Sequence, residues 1–351
     1  SMTRPLKLLV LGGTRFLGRH LVDEALRRGH ALTLLHRGLS GPGLFAGVEH
    51  RIADRNGDLA AALHGGPWDV AIDTSAYVPR HVASLAAALA GRVGRYQLVS
   101  TVSVYAEDAP APLAEDSPRA RLSGPATEAV TGETYGALKA LCEDAAGQAF
   151  GAGRCLVVRP GLIVGPYDPT GRFSWWVRRF LRAAAVGGEV LAPGDPDAPV
   201  QFIDARDLAA WMLDQAEAGG HGSFNLAGPV GGTTMGALLE TARAQLSPAA
   251  RLTWVSEAAL LDAGVSPWTD LPLWLPAAQA ALHRTAIGRA VAAGLATRTL
   301  AETLRDTAAW LATLPGDEAV MPATPPGGPP RPQPGLPAAT ETALLAAWNR
   351  R

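Results

Sequence analysis

The sequence predicts an α/β protein whose main domain is a doubly wound parallel sheet and whose second, smaller domain mixes helices and strands. Three observations support this prediction. Short apolar runs alternate with helical patterns through the first half of the 351-residue chain. A glycine-rich turn follows the first apolar run directly, and the pattern loosens into Gly- and Pro-rich loops after Gly165-Pro166. Nearly continuous apolar strands separated by helices are typical of a parallel sheet covered on both faces.

The predicted elements follow one another in the order that right-handed crossovers require. Strands are predicted at 7–11, 32–35, 48–52, 70–72, 96–100 and 155–158. Helices are predicted at 16–28, 57–64, 80–90 and in the segment that begins near Tyr135. A further strand and helix at 199–218 are expected to return the chain to the main domain.

These elements divide the chain into four parts. Residues 1–165 and 199–221 form the predicted dinucleotide-binding domain, and 166–198 with 222–321 form the substrate domain. Residues 322–337 carry eight prolines and predict an extended linker. Residues 338–351 predict a helix with Thr340 as a candidate N-cap. Whether this helix packs on the body or on a second subunit stays open at this point.

Composition narrows the classes of partner and compartment. The net charge is −1 and charged residues make up 18% of the chain, so no nucleic-acid or membrane partner is expected. Only Cys142 and Cys155 are present, which argues against a disulfide framework and favours a cytoplasmic protein. The sequence contains no run of about 18 apolar residues, so no membrane-spanning helix is expected. A small-molecule substrate is therefore expected.

The glycine-rich turn has the context of a dinucleotide site. It runs from Gly12 to Gly18, directly after the first strand and at the start of a helix. Gly12 permits the tight turn, Gly18 permits close helix–strand packing, and the helix N-terminus offers N–H groups to a pyrophosphate. The residues of the turn predicted to bind the cofactor are Gly12, Thr14, Arg15, Phe16, Leu17 and Gly18.

The end of the second strand favours NADP over NAD. An NAD site places an acidic residue at the end of the second strand, about 20 positions after the first glycine, but here no acid occurs between that strand and Glu49. Arg37, together with Arg15, could pair with a 2′-phosphate, because a guanidinium fits a phosphate. NAD stays as the alternative.

Tyr135 and Lys139 form the candidate catalytic pair. Lys7 and Lys139 are the only lysines among the 31 basic residues of the chain. Positions i and i+4 share a helix face, so the ammonium can lie near the phenol and make it a usable general acid and base. Thr101 ends a strand of the sheet, at the edge that faces the ligand crevice in doubly wound folds.

In combination, these motifs resemble the extended short-chain dehydrogenase/reductase superfamily of the NAD-dependent epimerase/dehydratase type, over roughly residues 6–230. The resemblance implies a Rossmann-like fold and assigns proton transfer to Tyr135, ribose binding to Lys139 and substrate orientation to Thr101. It also implies that Asp54 contacts the adenine. The other residues that it places at the cofactor are Arg55, Ser75, Ser100 and Pro160.

The resemblance leaves three functions open. The first is hydride transfer to or from a ketone or secondary alcohol, and the second is a nucleotide-sugar epimerase. A 4,6-dehydratase is disfavoured, because Val102 and Ser103 stand where such enzymes carry Asp and Glu. The third is a non-catalytic RNA-binding member, since Arg15 and the Arg37-Gly38 pair are similar to an atypical subgroup that includes chloroplast stem-loop RNA-binding proteins. A homodimer is a further expectation from relatives.

Other side chains carry weaker signals. The histidines lack metal-ligand spacing and are expected at the surface or in loops, namely His36, His64, His81, His221 and His283. Trp175 and Trp176 fit either an apolar substrate pocket or the core. Four arginines between 172 and 182 fit either a phosphate site or a solvated helix face.

Overall fold

A seven-stranded, fully parallel sheet forms the centre of the computed structural model, which describes residues 4–41, 43–316 and 333–351. The strand order is β10-β6-β5-β4-β1-β2-β3. The strands are β1 (Lys7–Leu11), β2 (Ala31–His36), β3 (Glu49–Ile52), β4 (Trp68–Asp73), β5 (Val93–Val99), β6 (Cys155–Pro160) and β10 (Gly222–Leu226). The order reverses between β1 and β4, so their carboxyl ends open the crevice that binds ligands in such sheets. The predicted fold class is confirmed.

Helices cover both faces of this sheet, as the apolar strands require. One face is covered by α1 (Phe16–Arg27) and α5 (Ala205–Ala218), which share a hydrophobic cluster with β1, β2 and β4. The other face is covered by α2 (Pro79–Leu89) and α3 (Tyr135–Phe150), which bury Leu85 and Cys142 against the sheet. Cys142 and Cys155 are both free and buried, and burial raises the pKa of each thiol to about 11.

The second domain is built around its own hydrophobic cluster. Its helix α4 buries Trp176, which donates a 2.6 Å hydrogen bond to the carbonyl oxygen of Pro272, so this tryptophan belongs to the core. Two short parallel pairs, β7 with β9 and β8 with β11, complete the strands. The remaining elements are β7 (Ile163–Val164), α4 (Arg172–Val186), β8 (Glu189–Pro193), β9 (Ile203–Asp204), α6 (Met235–Leu246), β11 (Arg251–Val255), α7 (Glu257–Asp262), α8 (Gly288–Ala292), α9 (Leu300–Leu311) and α10 (Ala338–Asn349).

The C-terminal helix α10 packs on the body of the same chain. Leu345 is buried in the second-domain cluster, and Glu341 is only 3% exposed. The Glu341 carboxylate accepts hydrogen bonds from Arg179 at 2.7 and 2.9 Å and from the Leu191 amide at 3.0 Å. Arg179 therefore anchors this helix. Most of the predicted linker lies in 317–332, outside the described residues.

Three sequence-based expectations are wrong. Residues 57–64 form turns, because the Asp58 side chain accepts from the Ala60 amide and competes with a helical start. The strand β10, assigned by prediction to the second domain, is the edge strand of the central sheet. Thr340 lies inside α10, which begins directly after Pro337. Among the described residues, no helix is long and apolar enough to cross a membrane.

Candidate active site

A cleft of about 470 Å³ lies at the carboxyl ends of the central strands. It brings together ten of the residues predicted to bind the cofactor, from four separate stretches of sequence. They are Gly12, Thr14, Arg15, Phe16, Leu17, Gly18, Arg37, Asp54, Arg55 and Ser75. Four predicted residues do not line it: Ser100, Tyr135, Lys139 and Pro160.

The glycine turn at the base of the cleft fits a dinucleotide pyrophosphate. Gly12 has φ +93°, and a Cβ there would overlap the hydroxyl of Thr74. A Cβ at Gly18 would overlap the carbonyl oxygen of Gly12, so α1 could not approach β1 so closely. No side chain caps the N-terminus of α1, and its first turn carries no acidic residue. Its leading N–H groups are therefore suited to an anion.

Where the turn after β2 meets the glycine turn, the cleft is lined by two basic side chains, and this part is called the basic end of the cleft. Arg37 directly follows β2, and both Arg37 and Arg15 are exposed and line the cleft. Neither guanidinium pairs with a carboxylate within the part of the chain that the structure describes. Asp54, which follows β3, also lines the cleft, and its carboxylate accepts from the Asn56 amide at 2.8 Å.

Beneath the cleft lies a buried ion pair that the sequence analysis missed. Arg55 donates to Asp73 at 2.5 Å and to the hydroxyl of Ser75 at 3.3 Å. Tyr96 donates to the other oxygen of Asp73 at 2.5 Å. Burial opposes ionisation of Asp73, but Arg55, Tyr96 and the Ser75 amide hold its pKa below the usual value. Arg55 thus links the loop after β3 to the end of β4 and to the loop that follows β4.

The ring of His81 joins two walls of the cleft. The Tyr77 amide donates to Nδ1 at 3.1 Å, so Nε2 carries the proton and donates to Asn56 Oδ1 at 3.1 Å. Burial, together with the nearby Arg55 and Arg80, lowers the pKa of His81 to about 4. The expectation that the histidines lie at the surface or in loops is wrong for three of them. His81 is buried in α2, His283 is buried at the end of a short 3₁₀ helix, and the half-buried His36 is the last residue of β2 and lines the cleft. His64 and His221 are exposed, as predicted.

Tyr135 and Lys139 occupy the first two turns of α3. Lys139 is 3% exposed, and its ammonium donates to the carbonyl oxygens of Ala76 at 2.6 Å and Val99 at 2.8 Å. These carbonyls lie in the loop after β4 and at the end of β5. Val99 itself lines the cleft, as does Tyr77, whose ring centre is 5.9 Å from the ammonium. Lys139 is therefore fixed directly beside the cleft.

Thr101 lies in the loop that packs against the start of α3. Its Oγ1 accepts a hydrogen bond from the Ser103 amide at 3.0 Å, which leaves the hydroxyl proton available to a ligand. A Cβ at Gly136 would overlap the carbonyl oxygen of Ser103. This close approach brings the half-buried Tyr135 next to the loop that carries Thr101.

Ser100 and Pro160 face the interior instead of the cleft. Ser100 donates to the buried carboxylate of Glu143 at 2.6 Å, and Arg159 donates to the same carboxylate at 2.7 and 3.0 Å. Pro160 is buried in β6 beside Leu226 of β10. Glu143 follows Lys139 by one helical turn, and that spacing is the signal that could have identified it as a partner under the site.

The described residues contain no cluster of side chains that could bind a metal ion. No group of three or more His, Cys, Asp or Glu side chains is arranged to hold a metal ion among residues 4–41, 43–316 and 333–351. The site thus consists of a cleft with a glycine turn at its base and Lys139 directly beside it, with Tyr135 and Thr101 on the segments that meet at the start of α3.

Comparison with known proteins agrees with this architecture. A family model described as the NAD dependent epimerase/dehydratase family matches residues 8–227. The fold is similar to that of the UDP-glucose 4-epimerase of Thermotoga maritima with UDP-glucose, with 18% identity and a TM-score of 0.62 over 88% of this chain and 99% of that one. It is also similar to the UDP-glucuronic acid 4-epimerase of Bacillus cereus in complex with NAD, with 17% identity and a TM-score of 0.61 over 88% and 99%.

A third similar structure is the UDP-N-acetylglucosamine 4-epimerase of Methanobrevibacter ruminantium M1 in complex with UDP-N-acetylmuramic acid. Its identity is 19% and its TM-score 0.63, over 88% of this chain and 99% of that one. A search of curated protein sequences gives no match. At such identities the structural likeness establishes the fold, while the family model establishes the relationship in sequence.

Proposed function

The chain belongs to the NAD dependent epimerase/dehydratase family, and on that basis we propose that it is an NADP-dependent oxidoreductase. It transfers hydride to or from the carbon of a ketone or secondary alcohol in a small molecule. The observation that carries this proposal is the placement of Lys139, which is buried beside the cleft and one helical turn after Tyr135.

The basic end of the cleft supports the choice of NADP. Arg37 follows β2, where an acidic residue would hold the ribose hydroxyls of NAD. Arg15 and Arg37 together offer guanidinium groups to a 2′-phosphate. The structure described above that contains NAD, the Bacillus cereus epimerase, is only 17% identical, so its coenzyme does not decide that of this chain.

Three side chains would handle the reacting oxygen. Tyr135 holds the proton that is exchanged with the substrate oxygen, and the Lys139 ammonium stabilises the phenolate form through its positive charge. Thr101, whose Oγ1 already accepts from the Ser103 amide, donates its hydroxyl proton to the same oxygen. The bound coenzyme supplies or accepts the hydride.

A nucleotide-sugar 4-epimerase is the second candidate. It is favoured by the structures described above, which are named as epimerases of UDP-sugars. Such an enzyme would use the same Tyr135 and Lys139 and would return the hydride to the opposite face of the substrate carbon. A dehydratase is disfavoured, because Val102 is buried and apolar and Ser103 is no carboxylic acid.

Replacement of Tyr135 by Phe tests the proposal. Turnover should be followed with NADPH and a panel of ketones, and with UDP-sugars by product chromatography. We expect Tyr135→Phe to lose turnover by about 10²- to 10⁴-fold, because general acid–base catalysis contributes that much, while binding of NADPH is retained. Net oxidation of NADPH identifies a reductase, and an isomerised sugar with unchanged NADPH absorbance identifies an epimerase. Equal turnover of Tyr135→Phe and the wild type would disprove the assignment, and so would a protein that turns over neither panel.

A further inference from the structure

Two imidazole rings form a continuous hydrogen-bonded chain at the basic end of the cleft. His36 is the last residue of β2 and lines the cleft, and His50 lies on the neighbouring strand β3. His36 Nε2 is 2.8 Å from His50 Nδ1, and the two rings are nearly perpendicular, at 89°. The chain continues at both ends into the backbone of the loop that joins the two strands.

The backbone contacts fix the proton on every nitrogen of this chain. The Gly38 amide donates to His36 Nδ1 at 2.9 Å, so that nitrogen carries no proton. His36 Nε2 therefore holds the proton and donates it to His50 Nδ1. His50 Nε2 in turn donates to the carbonyl oxygen of Phe45 at 2.9 Å. One arrangement of two neutral rings satisfies all three contacts.

Burial and the neighbouring ring support the neutral state. Burial, followed by the proximity of His50, lowers the pKa of His36. The charged side chains that line the cleft are Arg15, Arg37, Arg55 and Asp54. Three of these four are cations, so the lining as a whole does not favour a protonated ring.

The same contacts shape the turn that carries Arg37. Gly38 has φ +77°, a left-handed conformation that favours glycine, and its amide is the one held by His36. Two residues later, the Ser40 hydroxyl is 3.2 Å from that of Thr14 in the glycine turn. The turn from Arg37 to Ser40 is thus fixed at both ends. Arg37 is the residue between His36, whose ring accepts the hydrogen bond, and Gly38, whose amide donates it.

We propose that His36 is a positioning residue that sets the coenzyme preference, holding the Arg37–Gly38 turn so that it recognises a phosphomonoester on the adenosine ribose. His50 holds the His36 ring in the orientation that this requires. The inference rests on the proposed preference for NADP. It adds that this preference depends on His36 and His50 as well as on Arg37. The ligand chemistry is a nucleoside 2′-phosphate, as in 2′,5′-ADP.

Two replacements of His36 separate its contacts. An Asn side chain can place its amide oxygen near the position of Nδ1 and keep the bond from Gly38, whereas a Gln side chain reaches toward His50 and loses that bond. Binding of 2′,5′-ADP and of 5′-AMP should be measured by calorimetry at pH 8, where a phosphate with a second pKa of about 6 is fully ionised. The ratio of the two dissociation constants reports recognition of the 2′-phosphate alone.

We expect His36→Gln to weaken binding of 2′,5′-ADP by about 10-fold or more, the loss typical of one misplaced hydrogen bond to a charged group, and to leave 5′-AMP within about 2-fold. His36→Asn should keep the wild-type ratio within about 3-fold. His50→Phe leaves His36 and Gly38 in place and removes the ring-to-ring bond together with the bond from His50 to the Phe45 carbonyl oxygen. It should fall between the two and serves if His36→Gln does not fold. His64→Gln, at an exposed histidine, is the matched control.

Two results would overturn the inference, and they differ in meaning. If the wild type prefers 2′,5′-ADP and both His36→Gln and His50→Phe keep that preference, the coenzyme assignment stands and the role of His36 is wrong. If the wild type binds 2′,5′-ADP no better than 5′-AMP, the NADP assignment is wrong and the positioning role falls with it.

Discussion

The ammonium nitrogen of Lys139 lies 2.8 Å from the carbonyl oxygen of Val99, the last residue of β5. The same nitrogen lies 2.6 Å from the carbonyl oxygen of Ala76, so one side chain joins the end of β5 to the loop that follows the neighbouring strand β4. The lysine is therefore part of the framework of the cleft as well as a candidate for its chemistry. This double role makes its replacement informative in two measurements.

Lys139→Met should lower both stability and activity. We expect a decrease in the free energy of unfolding of about 1–3 kcal/mol, because two buried carbonyl oxygens lose their donor. Urea unfolding followed by circular dichroism measures the decrease. Lys7→Met is the matched control, since Lys7 is exposed and is the other lysine of the chain. Unchanged stability of Lys139→Met would contradict the contacts described for the ammonium.

Arg37→Asp should change the coenzyme preference. The replacement removes the proposed partner of the 2′-phosphate and adds repulsion, so the dissociation constant for NADPH should rise by about 10- to 100-fold. The constant for NADH should change by less than about 3-fold. Titration of both coenzymes measures the difference, with Arg350→Asp as a control of equal charge change at the exposed C-terminus. Equal losses for NADPH and NADH would count against the role of Arg37.

Stability should decrease in mild acid through His81. The folded ring has a pKa of about 4, below the ordinary value of 6.5, so the unfolded chain binds the extra proton between those pH values. The stabilisation from the neutral ring is complete above pH 6.5 and is lost as the pH falls to 4. Burial lowers the pKa of His20 and His283 as well, and both add to the trend.

His81→Asn isolates this contribution, since an amide oxygen can still accept from the Tyr77 amide. The decrease in unfolding free energy from pH 6.5 to 4 should be smaller in His81→Asn than in the wild type by on the order of 1 kcal/mol. Urea unfolding at a series of pH values provides the comparison, and His64→Asn at an exposed position is the control. A wild-type slope retained in His81→Asn would exclude this ring as the source.

Glu341→Ala should release the C-terminal helix. The replacement leaves the buried Arg179 guanidinium without its carboxylate, which typically costs about 3–5 kcal/mol. Proteolysis within α10 should accelerate and thermal stability should drop. Thr342→Ala, the exposed neighbour on the same helix, should remain within about 0.5 kcal/mol of the wild type. A Glu341→Ala protein as resistant as the wild type would show that the apolar contacts of α10 suffice.

The parts of this protein that follow from local sequence were predicted, and the parts that depend on distant pairing were missed. The inner strands of the central sheet, namely β1, β2, β4, β5 and β6, are mostly buried, so their apolar runs identified them. The glycine turn and the Tyr135/Lys139 pair were identified from short-range spacing, and their roles stay predictions. By contrast, Arg55 meets Asp73 across 18 positions and His36 meets His50 across two strands.

Those pairs depend on which strands become neighbours and in what register. His36 lies level with Ile52, and His50 with Leu34, only because β2 and β3 pair as they do. Ser100 shows that local sequence can also predict a ligand contact that the fold does not provide. Its position at a strand end suggested a ligand contact, but Glu143 on α3 accepts its proton inside the protein.

The position of β10 at the edge of the central sheet has a practical consequence for dissecting the protein. The strand lies beside β6, although β7, α4, β8 and β9 all intervene in the chain. Ala290 and Leu295, later still, fill the hydrophobic cluster beneath α1. A fragment that ends at residue 165 would therefore expose one side of β6 and an uncovered apolar surface. Any attempt to express the predicted dinucleotide-binding domain alone must retain the chain at least to Leu226. It must retain the chain to Leu295 if that apolar surface is to stay covered.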